Sequence, residues 1–471
     1  MVSDQSLLAL LRCPLCRGEL DFSPMPAGVH GRAAFGALRC GCSSYPVVDG
    51  IPIIMREPVG MFEHTSNEAQ VAGVSPQRLV ALIEAGACDD ALFECLGYPV
   101  IPELVTRLLG WRLSRGTLAI RLARARGKRR VLRELLARRD ASSATEVLRF
   151  FYRRESPLDI AVGDYFSLRF GQPRHLVAVC LLAQLPSDDK PLLDIACGCG
   201  HLDHYLTSRP DPLSIVGVDL NFFHLWIARH WISPDGAFVC ANATAGLPFA
   251  DNSFSATICS DAYHCIPERA QLNAEVRRCA PGRPGIITCA GNIAVMPNEG
   301  RERTPEGYLE EIGASDIRTW SESALLQCYL ERHSPLRLAQ EDARTLARSK
   351  WLSFFWNLPQ QARDKPEETH QWPHAAGVLG INPVYRRLPA AADNVELRFE
   401  FPSIWYAYEN HGMLAYHPRR VLLTRAQLQN LRTQRFEPDF PDLISKFVLL
   451  GLPRRFLPAE AVRGTVQPVD A

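Results

Sequence analysis

Short apolar runs that close on an acid or a small residue recur through the middle of this chain. They are Leu192-Leu193-Asp194-Ile195, Ile215-Val216-Gly217-Val218-Asp219, Phe238-Val239-Cys240, Ala256-Thr257-Ile258-Cys259-Ser260-Asp261 and Ile286-Ile287-Thr288-Cys289. Runs of this length with little alternation are strands buried on both faces, and the stretches between them have room for crossover helices, which predicts a parallel α/β core. Upstream the period changes. Leu79, Val80, Leu82 and Ile83, then Ile101, Leu104, Val105, Leu108 and Leu109, follow helical spacing, so 61–156 reads as a helical segment. Downstream, Tyr308–Ile312 is a helix stopped by Gly313 and followed by a short strand ending at Trp320.

The first strand leads into Ala196-Cys197-Gly198-Cys199-Gly200, and a helix opens at His201. A strand, a glycine turn and a helix make a ligand crevice, because Gly198 and Gly200 can take positive φ and let backbone approach a bound molecule. A dinucleotide fingerprint wants a third glycine where Asp203 stands, which weakens a nicotinamide reading. Asp219 closes the second strand about twenty residues on, where a carboxylate can accept from ribose hydroxyls.

Taken together these landmarks resemble class I S-adenosylmethionine-dependent methyltransferases. The resemblance implies a Rossmann-like seven-stranded sheet and a cofactor turn of Asp194, Ala196, Gly198 and Gly200, with Ala196 where that family usually has its first glycine. It further implies ribose contacts at Asp219 and Leu220 and an adenine loop at Asn242 and Ala243, where many members have Asp in place of Asn242. The helix just before the core would bring Tyr165 and Arg174 to the cofactor carboxylate. Past the fourth strand, His264 is the candidate base or acceptor-orienting group, with Tyr263 beside it; a structural, hydrogen-bonded histidine is the alternative. His201 and His204 lie near the turn without a constrained role, and Cys197 and Cys199 have no identifiable base partner. The family's seventh strand lies antiparallel between the fifth and sixth. Lys446–Gly451 is the run expected to supply it, so an aromatic-rich insertion over 321–441 should interrupt the core and serve as a substrate lid or an interface.

The chain has 471 residues, with 52 basic against 51 acidic, so no global charge points to nucleic acid or a lipid surface. No apolar run approaches a membrane span, and a cytoplasmic protein is the expectation. Fifteen cysteines, many within apolar segments, fit reduced thiols better than a disulfide framework. Cys13, Cys16, Cys40 and Cys42 are set apart on two short turns, as a tetrahedral zinc site requires. The run Cys42–Ile54 resembles the end of a zinc-ribbon family that includes tRNA-methyltransferase activator subunits, although a single residue separates the second pair here. The expected units are a ribbon over 1–58, the helical segment 61–156, and a core over 160–320 and 442–455 around the insertion.

The resulting expectation is methyl transfer from S-adenosylmethionine to an oxygen or nitrogen of a small or medium organic molecule, with a possible structural zinc. RNA methylation, suggested by the ribbon and by the basic run Arg121–Arg130, is the alternative within enzymes, though the chain carries Ser260-Asp261-Ala262-Tyr263 where amino-group tRNA methylases often carry Asn/Asp-Pro-Pro-aromatic. A non-catalytic cofactor-binding scaffold or activator subunit is the alternative from another class. Oligomeric state is left open.

Overall fold

The computed structural model describes residues 4–25, 34–60, 73–96, 130, 132–152, 157–209, 211–295, 302–359, 377–390 and 394–458. The basic run at 121–129 and the apolar positions 101–109 lie outside the described residues. Four strands come first: β1 (Asp21–Pro24), β2 (Gly36–Arg39), β3 (Ser44–Val48) and β4 (Ile51–Pro52), in the order β1-β2-β3-β4 and all antiparallel. Next comes the central sheet, built from β5 (Leu192–Ile195), β6 (Ile215–Asp219), β7 (Ala237–Cys240), β8 (Ala256–Ser260), β9 (Gly285–Gly291), β10 (Arg318–Ser321) and β11 (Trp351–Trp356). Its order is β10-β11-β9-β8-β5-β6-β7, with β9, β8, β5, β6 and β7 parallel and β11 antiparallel to both neighbours.

The seventh strand is therefore Trp351–Trp356, not the Lys446–Gly451 run expected from the sequence. Five of its six residues are buried, so it shows none of the alternation that marks a strand with one wet face. Its aromatic content made it look like the packing of an added lid. The run expected in that place becomes β16 (Leu449–Pro453), which pairs antiparallel with β12 (Gly377–Ile381) in a separate ribbon. β13 (Tyr385–Pro389), β14 (Val395–Phe399) and β15 (Arg420–Leu423) form a three-stranded antiparallel sheet, with β14 at the run whose alternation predicts a strand. What separates strands six and seven is only the stretch 322–350.

Helices cover the central sheet. Pro173–Leu182 is buried along its whole length, beneath β9 and helix Glu322–Leu330, which explains why its apolar residues run all round the helix rather than along one stripe. The four-stranded N-terminal unit is stitched to the other edge of the sheet. Ile53 makes a parallel bridge with Cys240, the Ile54 amide donates to the Cys240 carbonyl at 2.8 Å, and Leu11 bridges Phe249. That contact covers the otherwise open β7 edge. Leu7, Leu11, Tyr45 and Ile54 share one apolar core with Val216, Val239 and Phe249. Asp49, at the tip of the β3–β4 turn, accepts from Trp226 Nε1 at 2.9 Å, bonds His230 Nε2 at 2.9 Å and pairs with Arg139. Burial pushes its carboxyl up, but these partners outweigh that and hold it down at about 2.

Candidate active site

The crevice expected from the sequence would lie over the carboxyl ends of the parallel strands β5, β6, β7 and β8. Ala196, Cys197, Leu220, Asn242 and Ala243 are part-exposed there, while the strands beneath them are buried. Ala196, Gly198 and Gly200 have φ of 57°, 55° and 74°. The turn thus places a non-glycine residue in the left-handed region at Ala196, where a Cβ costs energy. A Cβ at Gly198 would come within 2.9 Å of the Phe166 ring and at Gly200 within 2.9 Å of Ala228, so close packing as well as φ selects glycine at both.

Asp219 fastens the turn to the second strand. One carboxylate oxygen accepts from the Gly198 amide at 2.9 Å and the other from the Asn221 amide at 2.7 Å. Each oxygen retains a further lone pair. Burial raises the Asp219 pKa, but His224 and the two amides lower it below the ordinary carboxylate value. His224 stands 3.9 Å from Asp219, and its other ring nitrogen bonds Tyr152 Oη at 2.5 Å. No local motif marks Tyr152 or His224; the packing of helices Ala144–Phe151 and Phe222–Ile227 brings Tyr152 to His224, and His224 alone stands beside Asp219.

Asp194 does not line the open crevice. It is 1% exposed and sits with the fully buried Asp203 beneath the turn. Burial drives both carboxyls up, Asp203 to about 7 and Asp194 well above its usual range; Asp203 adds to the rise at Asp194, whereas Asp194 and the Asp203 backbone partly offset the rise at Asp203. Asn242 is oriented by its own loop: Oδ1 accepts from the Thr244 amide at 3.0 Å and the Thr244 hydroxyl at 2.8 Å. Its amide nitrogen donates to Glu57 Oε1 of the N-terminal unit at 3.0 Å.

The other end of the crevice is ionic. Asp261, at φ 58° just past β8, accepts from Arg174 Nη1 at 2.9 and 3.0 Å and from Arg169 Nη1 at 3.1 Å. Arg174 Nη2 reaches Glu409 at 3.0 Å, and Lys350 bonds the other Glu409 oxygen at 3.1 Å. The Tyr165 ring lies under the Arg169 guanidinium at 4.5 Å, and Arg174 lies over Trp351 at 4.8 Å. Tyr165 and Arg174, which the resemblance would bring to the cofactor carboxylate, stand 5.7 Å apart from ring to guanidinium, and both Arg174 terminal nitrogens are engaged by carboxylates of the chain itself. Nearby Glu322 is pushed up to about 7 by burial, with Oε2 lacking a hydrogen-bond partner among the described residues. Burial lowers the His264 pKa, Asp261 opposes that and the Arg174 charge adds to it, and the buried Nδ1 likewise has no such partner. Tyr263 turns the opposite way: it is 1% exposed in the core, its hydroxyl bonded to Asn273, and it anchors the 3-10 turn Tyr263–Cys265 that carries His264. Cys197 and Cys199 are held as neutral thiols by burial first, with nearby carboxylates adding to the effect.

The comparisons with known proteins bear on this same span. Residues 193–283 match the family model described as a methyltransferase domain. Phthiotriol/phenolphthiotriol dimycocerosates methyltransferase of Mycobacterium leprae is 38% identical over 104 residues, 22% of this chain and 37% of that protein. The enzyme of that name from Mycobacterium ulcerans is 33% identical over 96 residues, 20% of this chain and 35% of that protein. The chain therefore spans about a third of the length of these relatives. Among solved structures, phosphoethanolamine N-methyltransferase 2 of Haemonchus contortus, with phosphomonomethylethanolamine and S-adenosylhomocysteine, is 20% identical over a match that covers 44% of this chain and 59% of that one, with a TM-score of 0.31.

Away from the crevice, Cys13, Cys16, Cys40 and Cys42 bring their sulfurs within 4.8 Å of one another. Cys13–Cys42 and Cys40–Cys42 stand at 3.5 Å and Cys16–Cys40 at 3.7 Å. A tetrahedral ion with Zn–S bonds of ~2.3 Å sets its sulfurs ~3.8 Å apart, so the cluster fits zinc despite the single residue between Cys40 and Cys42. Burial raises the Cys13 thiol, but the Cys16 amide, Tyr45 hydroxyl and Leu15 amide outweigh it and bring the pKa to about 6.

Proposed function

We propose that the chain transfers a methyl group from S-adenosylmethionine to an oxygen or nitrogen of a small or medium organic acceptor. The observation that carries this reading is the Gly198–Asp219 hydrogen bond, which joins two positive-φ glycines and a carboxylate in one crevice inside the methyltransferase-domain match. The spare lone pairs of Asp219 suit ribose hydroxyls, with Leu220 beside them, and Asn242 and Ala243 suit the base. The bound cofactor supplies an electrophilic methyl group. The acceptor then sits toward the β8 end, where His264, its pKa lowered by burial, is the group placed to take a proton. Tyr263 holds the His264 turn in place instead of touching the acceptor. Arg174, Arg169 and Asp261 form a rigid floor that excludes water and keeps the acceptor aligned.

A small-molecule acceptor is supported by the mycobacterial relatives, whose names give phthiotriol and phenolphthiotriol dimycocerosates as what they methylate. In the N-terminal unit the four thiolates would hold Zn²⁺, which would supply folding energy there. Calorimetry with S-adenosylhomocysteine, followed by incubation with methyl-labelled cofactor and a metabolite extract, tests the reading: binding and a labelled small molecule are expected, and the absence of any cofactor binding refutes it. Metal analysis is expected to find one zinc per chain.

A further inference from the structure

The N-terminal unit does more than cover a sheet edge. β4 leaves that edge in parallel with β7, since Ile53 bridges Cys240 and the Ile54 amide bonds the Cys240 carbonyl. The two chains emerge together over the crevice, which is why Glu57 meets Asn242 at 3.0 Å. The docked Asp49 turn fixes the position of the whole unit. The glycine turn sits on β5 and the ribose carboxylate on the neighbouring β6, so a nucleoside laid along the crevice brings its base to the end of β7, where this pair stands.

The chemistry of the pair is determined by its neighbours. Both lone pairs of Asn242 Oδ1 are taken by the Thr244 amide and hydroxyl. A backbone amide can only donate, which settles which end of the Asn242 side chain is oxygen. Asn242 therefore faces the crevice as a donor only: one N–H goes to Glu57 and one remains. Glu57 is an acceptor, and its Oε1 keeps a second lone pair. Adenine offers the complement on its Watson–Crick edge, an acceptor ring nitrogen beside a donor exocyclic amine; hypoxanthine offers the reverse order.

We infer that Glu57 of the N-terminal unit and Asn242 of the core together form a donor–acceptor pair that reads the adenine edge of the cofactor. The inference rests on the S-adenosylmethionine reading above. It makes the N-terminal unit part of the cofactor site, and it explains how the core functions with an amide, rather than a carboxylate, at 242.

The test is calorimetry of the full chain with S-adenosylhomocysteine and with its hypoxanthine counterpart, S-inosylhomocysteine. The unaltered protein is expected to prefer the adenine compound by about tenfold or more, as sites that hydrogen-bond a ligand group reject an analogue that leaves those bonds unmade. In Glu57→Gln the amide can present its N–H to the hypoxanthine oxygen, so the preference should shrink to roughly threefold or less. Glu57→Ala should weaken the adenine compound and leave the hypoxanthine compound nearly unchanged. Glu57 is only part-buried, and both variants should melt within about 2 °C of the parent. If the parent binds S-adenosylhomocysteine and Glu57→Gln keeps the full preference, Glu57 is only a tether and the inference falls by itself. If the parent binds neither compound, the cofactor reading falls with it.

Discussion

The two ends of the crevice are built on opposite principles. At the nucleoside end, backbone amides and a few side chains with unused hydrogen-bonding capacity surround an open turn; Asp219, Asn242 and Glu57 each keep a lone pair or an N–H in reserve. At the end where we propose the acceptor sits, two arginines, a lysine and two carboxylates are bonded to one another, with Asp261 2% exposed and Arg174 8% exposed at their side chains. One end is prepared for a ligand's polar groups. The other has spent most of its polar groups on itself; among the described residues there, His264 Nδ1, Glu322 Oε2 and Arg174 Nε are buried without a hydrogen-bond partner. On the proposed reading, the difference teaches that a fixed cofactor needs unsatisfied groups, whereas an acceptor to be aligned needs a stiff wall.

The contrast can be broken most sharply at Arg174. Replacing it with Ala leaves Asp261 and Glu409 without their shared partner in a buried place, and denaturant unfolding should show a loss of about 3–5 kcal/mol. A loss no larger than that of a surface substitution would mean the acceptor wall is not held by charge. Asp203→Asn probes the floor of the nucleoside end. Because burial raises the Asp203 pKa to about 7, the parent's contribution from this carboxyl is present below the unfolded pKa near 4 and is lost as pH rises through 7. The variant should therefore gain on the parent between pH 5 and pH 8, by about 2 kcal/mol, in paired thermal melts. A constant gap across that range would mean that Asp203 does not carry a raised pKa in the folded chain.

Smaller effects sharpen the same comparison. Gly198→Ala puts a Cβ against Phe166 at positive φ, so S-adenosylhomocysteine affinity should fall about tenfold or more by calorimetry while unfolding loses only about 1–2 kcal/mol. Ala196→Gly relieves a left-handed φ at the same turn and should add roughly 0.5 kcal/mol of stability, with cofactor affinity unchanged within about twofold.

The same contrast governs what could be read without coordinates. The nucleoside end is local in the chain: Gly198, Gly200 and Asp219 follow a strand–turn–helix–strand rhythm, and the spacing alone brings them together. The parallel order of β5 to β9 was legible for the same reason. The acceptor end draws on 165–174, 261–264, 322, 350 and 409, positions related by no period, and only folding unites them. Arg174 and Tyr165 were legible as neighbours of the crevice, but the carboxylates that claim Arg174 were not. β11 was hidden because a strand buried on both sides has the same apolar signature as core packing, and Glu57 was hidden because nothing in the N-terminal unit signals that it reaches the core. Asp194 shows a further limit of spacing, since a residue on the strand's last turn can face down as easily as up.

The stitching of Ile53 and Ile54 to Cys240 has a consequence for how the protein is made. The ribosome releases the first sixty residues long before β7, and at about 5–20 residues per second the wait for that partner edge is on the order of ten seconds or more. During that interval a bound metal ion would be the main thing keeping the early segment in shape. Shortage of zinc during synthesis should then lower the yield of folded enzyme even where the finished protein, once assembled, resists chelators.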